Sequence, residues 1–157
     1  MKKLMLLAGL YCLQPTLHAG SLGSPGINNK APINASDRAL RHFKANYADV
    51  QNVAWYNSKN GEIYCVFHQN GVSNRIFYDN RGYWKYSMMG YPASHLDPVV
   101  KDMALSFVKG YHVSYVYEIR SDRFEPVYMI NMEDEDNIKV IQVTGDVIVV
   151  KQALKKR

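Results

Sequence analysis

Glycine-centred turn signals cut much of this chain into runs too short for helices. Ser58-Lys59-Asn60-Gly61, Asn70-Gly71 and Asp79-Asn80-Arg81-Gly82 follow one another between runs rich in aromatic and β-branched residues. Connections this tight join antiparallel neighbours, because a parallel crossover needs a dozen or more residues. The reading is four strands at 53–57, 62–68, 73–78 and 83–88, forming one meander. Nothing in the spacing suits a parallel, doubly wound sheet.

A helix precedes that meander. Ser36 stands where an N-cap is needed, Asp37 favours the helix dipole, and Ala39, Leu40, Phe43 and Tyr47 recur at helical spacing over 37–48. A second helix opens with Asp97 as N-cap and Pro98 in the first turn. It carries Val99, Val100, Met103, Ala104 and Phe107 as one stripe and closes at Gly110. Four more extended runs follow, at 112–121, 124–132, 138–144 and 147–152. The chain therefore reads as helix then four strands, twice.

The predicted fold class is α+β, a tandem pseudo-repeat of one helix plus a four-stranded antiparallel meander, with the helices packed on sheet. The copies span about 36–90 and 96–153 within a single domain at 36–157. Phe43 corresponds to Phe107, Val53 to Val113, Trp55 to Tyr115, and the turn at Gly82 to that at Gly145. One helix on a four-stranded meander cannot bury both sheet faces, so two copies side by side are expected to share one core, and one continuous sheet is compatible with this.

Export is written at the N-terminus. Lys2 and Lys3 precede an apolar run, Leu4 to Leu13, too short to span a bilayer, and Leu17-His18-Ala19 supplies a signal-peptidase site. Cleavage is expected after Ala19, giving a periplasmic or secreted protein with no membrane span in the mature chain. Tyr11 before Cys12 argues against lipidation. Residues 20–35, rich in Gly, Ser, Pro and Asn, read as a flexible leader. Cleavage leaves Cys65 as the single cysteine, so no intramolecular disulfide supports the fold. It also removes two of the 19 basic residues, which shrinks the +5 excess over 14 acids. The remaining charge is interspersed, apart from Lys155-Lys156-Arg157, which reads as a solvated, frayed end. A nucleic-acid partner is not indicated.

Further residues carry a family likeness. Phe43, Tyr47 and Val53-Ala54-Trp55, then Tyr64-Cys65-Val66-Phe67, then Arg75-Ile76-Phe77-Tyr78-Asp79-Asn80-Arg81-Gly82-Tyr83-Trp84, continue in the second half with Leu96-Asp97-Pro98-Val99, Gly110-Tyr111, Val113 and Tyr117-Glu118. In this the chain resembles the PepSY-like, β-lactamase-inhibitor-like (BLIP-like) proteins of Gram-negative envelopes, over about residues 37–152. The resemblance implies an exported protein of helix-plus-antiparallel-sheet repeats, similar in architecture to proteins that inhibit β-lactamases through a concave sheet face. Fold alone does not transfer function, and no inhibitor contact set carries over.

Catalytic patterns are missing from the sequence. His42, His68, His95 and His112 lack metal-ligand pairing, and no cofactor or metal is implied. Cys65, between Tyr64 and Val66, reads as a small buried residue rather than a nucleophile. Glu133-Asp134-Glu135-Asp136 lacks the glycine and alternation of a calcium loop and reads as a solvated hairpin tip. The 12 tyrosines and two tryptophans fall mostly in predicted strands. In Tyr83-Trp84-Lys85-Tyr86-Ser87-Met88, alternation puts Trp84, Tyr86 and Met88 on one face.

Tyr and Trp give contact area at low entropic cost and dominate interface hot spots. The nominated binding residues are Tyr56, Trp84, Tyr86 and Tyr117. The expected function is a non-enzymatic exported protein that binds a protein or peptide partner through this face, as inhibitor or modulator. The alternatives are an envelope carrier of a small apolar or glycan ligand and an enzyme of unrecognised kind.

Overall fold

The computed structural model of the chain describes residues 35–58 and 61–157. The expected signal peptide, and the leader up to residue 34, lie outside the described residues. Helix α1 (Asp37–Asn46) starts where the sequence places it, with the Ser36 hydroxyl accepting from the Ala39 N–H at 3.3 Å. Strands β1 (Ala54–Asn57), β2 (Ile63–Gln69), β3 (Val72–Tyr78) and β4 (Trp84–Tyr91) follow. After a 3₁₀ turn at Ala93–His95 comes α2 (Pro98–Phe107), whose Asp97 cap accepts from the N–H groups of Val99 and Val100 at 2.8 and 3.3 Å. Strands β5 (His112–Arg120), β6 (Val127–Glu133), β7 (Asn137–Thr144) and β8 (Val147–Lys155) complete the chain.

All eight strands form one antiparallel sheet in chain order, so the fold is α+β. Its halves meet at a seam where Ser87–Tyr91 of β4 pairs with Val116–Arg120 of β5. Both helices lie on the same face, and this face carries the buried side chains. Those side chains fall into two clusters rather than the one shared core expected. Ala39 and Phe43 of α1 pack with Ile63, Cys65, Phe67, Ile76 and Tyr78. Ala104 and Val108 pack with Tyr91, Leu96, Val116, Ile130, Met132, Ile141 and Val143. Helix α1 covers the first half of a sheet eight strands wide, and the α2 cluster reaches across the seam to Tyr91 and Met89 of β4.

The proposed correspondences hold unevenly. Val53 and Val113 are both buried, but Phe43 is 6% exposed and Phe107 is 50% exposed. Helix α2 sits with Val100, Ala104 and Val108 toward the sheet, which turns Val99 and Phe107 outward, against the expected stripe. Trp55 packs under α1, whereas Tyr115 faces the other way, because a register shift between Val113 and Tyr115 inserts one residue and reverses the alternation.

The C-terminus is also tied down, contrary to the expected frayed end. Lys155 belongs to β8, the Lys156 N–H donates to the Asp136 carbonyl at 2.6 Å, and Lys156 Nζ meets Glu133 at 3.0 Å and the Asp134 carbonyl at 2.7 Å. The acidic hairpin thus holds Lys156, by opposite charge at Glu133 and by a hydrogen bond at the Asp134 carbonyl. At the free edge, a register shift places Lys151 in a bulge of β8. Charge and bulge together discourage pairing of that edge with another strand of the same kind.

Candidate binding face

Strand alternation sends every second side chain away from the helices, and on the first half one cross-strand row of these is aromatic. Tyr56, Tyr64, Phe77 and Tyr86 occupy one cross-strand row, since Tyr56 pairs with Tyr64, Tyr64 with Phe77, and Phe77 with Tyr86. Their rings stack in sequence, with centroids 5.1, 5.4 and 4.4 Å apart. Neither helix covers this ladder. Tyr56 is 45% exposed, and partial burial among its neighbours pushes the Tyr86 phenol above its ordinary value of 10.0. The Glu62 carboxylate adds to that rise, and itself pairs with Lys85.

Of the four nominated residues, Tyr56, Tyr86 and Tyr117 lie on this open face, and Trp84 does not. The register slips between Phe77 and Tyr78, so Phe77 pairs with Tyr86 while Tyr78 pairs with Trp84. Lys85 is the extra residue of a bulge, and simple alternation fails across it. Trp84 therefore turns under α1, stacked on His42 with centroids 6.0 Å apart and donating its indole N–H to Ser87 Oγ at 3.0 Å. Beneath it, His42 Nδ1 and the Tyr78 hydroxyl lie 3.1 Å apart, and desolvation lowers the imidazole's pKa and raises the phenol's. Sequence reasoning missed Tyr64 and Phe77, which β2 and β3 add to the row. Each stands next to a buried residue, Tyr64 beside Cys65 and Phe77 beside Ile76, and their shared row becomes readable only once the strand register is known.

The seam carries a second feature. Gly90 of β4 pairs with Ser73 on one side and Tyr117 on the other. Tyr115 folds over the glycine so closely that a Cβ there would sit 2.7 Å from the Tyr115 hydroxyl oxygen and 3.3 Å from the Tyr117 ring. The tyrosine rings meet edge-on at 5.2 Å. The result is a small notch of about 80 Å³ on the open face, lined by Ser73, Arg75, Met88, Gly90, Tyr115 and Tyr117. Only glycine leaves that space.

Elsewhere, a wide and open hollow of about 680 Å³ lies between the α2–β5 turn and the acidic hairpin, lined by Gly110, His112, Asp134, Glu135, Asp136 and Lys156. The Asp134 carboxylate is occupied by the N–H groups of Asp136 and Asn137 at 2.8 and 2.7 Å. Among the described residues, no three of His, Cys, Asp and Glu converge as a metal-holding group. On the helix face of the second half, Glu118 is 4% exposed and accepts from the Tyr91 hydroxyl at 2.6 Å and from Arg120. That arrangement satisfies a buried carboxylate and opens to no cavity described above.

No family model matches the chain, and no curated protein matches it in sequence. Solved structures do match in shape. A BLIP-like protein from Bacteroides fragilis shares 11% identity at TM-score 0.61, over 79% of this chain and 88% of that one. A DUF2874 family protein from Bacteroides ovatus shares 18% at TM-score 0.60, over 76% and 86%. A protein from Bacteroides eggerthii, whose name assigns it provisionally to the periplasm, shares 17% at TM-score 0.60, over 77% and 88%. At these identities the likeness is one of fold: the chain shares the fold of a BLIP-like protein and of DUF2874 family proteins.

Proposed function

We propose that this chain is an exported, non-enzymatic binding protein that engages a protein or peptide partner through the open face of its sheet, inhibiting or modulating that partner. The observation that carries this reading is the four-ring ladder of Tyr56, Tyr64, Phe77 and Tyr86, stacked across four strands and covered by neither helix. Contiguous ring surface on an open face is what recognition of a polypeptide uses, because rigid rings bury large area with few torsions to freeze. The names of the structural neighbours support the same reading: one is BLIP-like, another provisionally periplasmic. The signal peptide, cleavage after Ala19, the PepSY-like half of the resemblance and the tandem origin of the two halves belong to this proposal.

A carrier of small ligands would need an enclosed cavity between helices and sheet. Under α1 that space is filled by Phe43, Phe67, Trp55 and Tyr78, packed ring against ring.

Capture of envelope proteins on the immobilised chain tests the proposal, run beside a Tyr56→Ala, Tyr86→Ala variant whose fold is checked by circular dichroism. Trp84→Ala does not serve, since it damages the packing under α1. A partner retained by the parent and lost by the folded variant is the expected result. Equal capture by both would sink the open-face reading.

A further inference from the structure

Arg75 is a charged side chain on the open face, and an aromatic binding surface does not explain it. It lies on β3 between Ser73, which borders the notch, and Phe77, which belongs to the ladder. Among the described residues its guanidinium has no ion-pair or hydrogen-bond partner. The hydroxyls of Ser73, Tyr115 and Tyr117 likewise make no hydrogen bond to described residues. In the free protein, water solvates all four groups. A partner that covers the face strips that water, and an uncompensated guanidinium is then costly to bury.

Resting on the binding function proposed above, we infer that the notch is a carboxylate-recognition site, in which Arg75 with the hydroxyls of Ser73, Tyr115 and Tyr117 receives an Asp or Glu side chain of a polypeptide partner. Arginine presents a planar fork of donors that matches a carboxylate, and the three hydroxyls supply further donors around it. A space of about 80 Å³ admits a group of a few heavy atoms, not a folded element or a sugar ring. Three same-face positions on one strand, Ser73, Arg75 and Phe77, repeat at about 7 Å, which is also the repeat of alternate side chains along an extended peptide. An acidic residue at the notch thus places the side chain two residues away over the aromatic row. The occupant is an extended acidic segment with an apolar or aromatic residue two positions from the acid.

The probe is a random-peptide display library selected on the immobilised chain, followed by synthesis of the enriched peptide and of its analogue with Gln for Glu or Asn for Asp. The expected result is a shared acidic residue two positions from an apolar one. Affinity should then fall at least about tenfold for Arg75→Gln and for the amide analogue, with no further loss when the two are combined. Arg75→Lys should recover only part of the affinity, because it restores charge without the fork. Peptides lacking an acid, or bound equally by Arg75→Gln, overturn the inference. If those peptides still lose affinity to a folded Tyr56→Ala, Tyr86→Ala variant, the open-face function survives alone. If they do not, both readings fail. Selection of no peptide also overturns it, and amide-shift changes at Gly90 and Tyr117 with acetate or inorganic phosphate would then assign the notch to a small anion.

Discussion

Cys65 offers the most quantitative check on the packing described above. It is fully buried in β2, paired in register with Trp55 and Ile76. Desolvation pushes its thiol up from the ordinary 9.0 to about 12, against backbone hydrogen bonds that favour the thiolate. The unfolded chain releases this proton near pH 9, while the folded chain keeps it. A group whose folded value is raised contributes its full stability below the unfolded value and loses it as pH climbs through the folded one, here between about 9 and 12.

Each pH unit in that window removes on the order of 1 kcal/mol, so the parent loses stability progressively from about pH 9 toward pH 12. Cys65→Ala removes the titrating group and exchanges it for a pH-independent packing loss of about 1 kcal/mol. The parent, more stable at pH 8, should therefore become the less stable of the two at about pH 10. Urea midpoints followed by tryptophan fluorescence measure this locally, because Trp55 and Trp84 pack against the same cluster. Tyrosines titrate in both proteins and cancel; the Tyr78 phenol is raised chiefly by burial, and only its smaller contribution from Cys65 differs between the two. Parallel pH curves for parent and variant would show that the folded thiol titrates normally and that α1 does not seal the sheet.

Gly82 has φ +79°, and a Cβ there would lie 1.7 Å from Ser36 Oγ, so Gly82→Ala should cost about 3 kcal/mol in urea denaturation. Gly61, at φ +80° with nothing near its would-be Cβ, provides the control, and Gly61→Ala should cost about 1 kcal/mol. Tyr91→Phe removes a hydrogen bond to the buried Glu118 carboxylate and should cost about 2 kcal/mol, while its combination with Glu118→Ala should cost less than the sum of the two. Lys156→Ala should shift the global midpoint by less than about 1 kcal/mol yet speed hydrogen exchange in the Asp134–Asn137 hairpin, which Lys156 clamps from across the sheet edge.

Local chemistry made the elements readable. Ser36 and Asp97 announce helix starts by side-chain capping, and Gly71, Gly82 and Gly145 announce turns by their positive φ. The alternation that put Trp84 on one face with Tyr86 and Met88 misplaced Trp84. A single inserted residue, Lys85, changes the face of everything before it, and such a bulge is set by the partner strand rather than by its own sequence. Helix α2 misled for a similar reason. Its apolar residues run nearly all round, so the stripe that faces the sheet is chosen by how closely Ala104 lets the helix approach, not by periodicity. The notch was not legible at all, since it needs Gly90, Tyr115 and Arg75 from three strands to meet.

The seam between β4 and β5 joins two halves with separate clusters, the second of which reaches back to Tyr91 and Met89 of β4 and Val72 of β3. Two such clusters have the means to melt in separate steps, with cooperativity across the join carried by the β4–β5 ladder and by Tyr91, which packs in the second cluster and donates to Glu118. Gly90 and Tyr117 face each other there, with Ser73 and Arg75 beside them in the first half. Anything seated over those four residues gains its full binding energy only when both halves are folded. Occupancy would then fuse two unfolding transitions into one, steepening the denaturation curve as well as moving its midpoint.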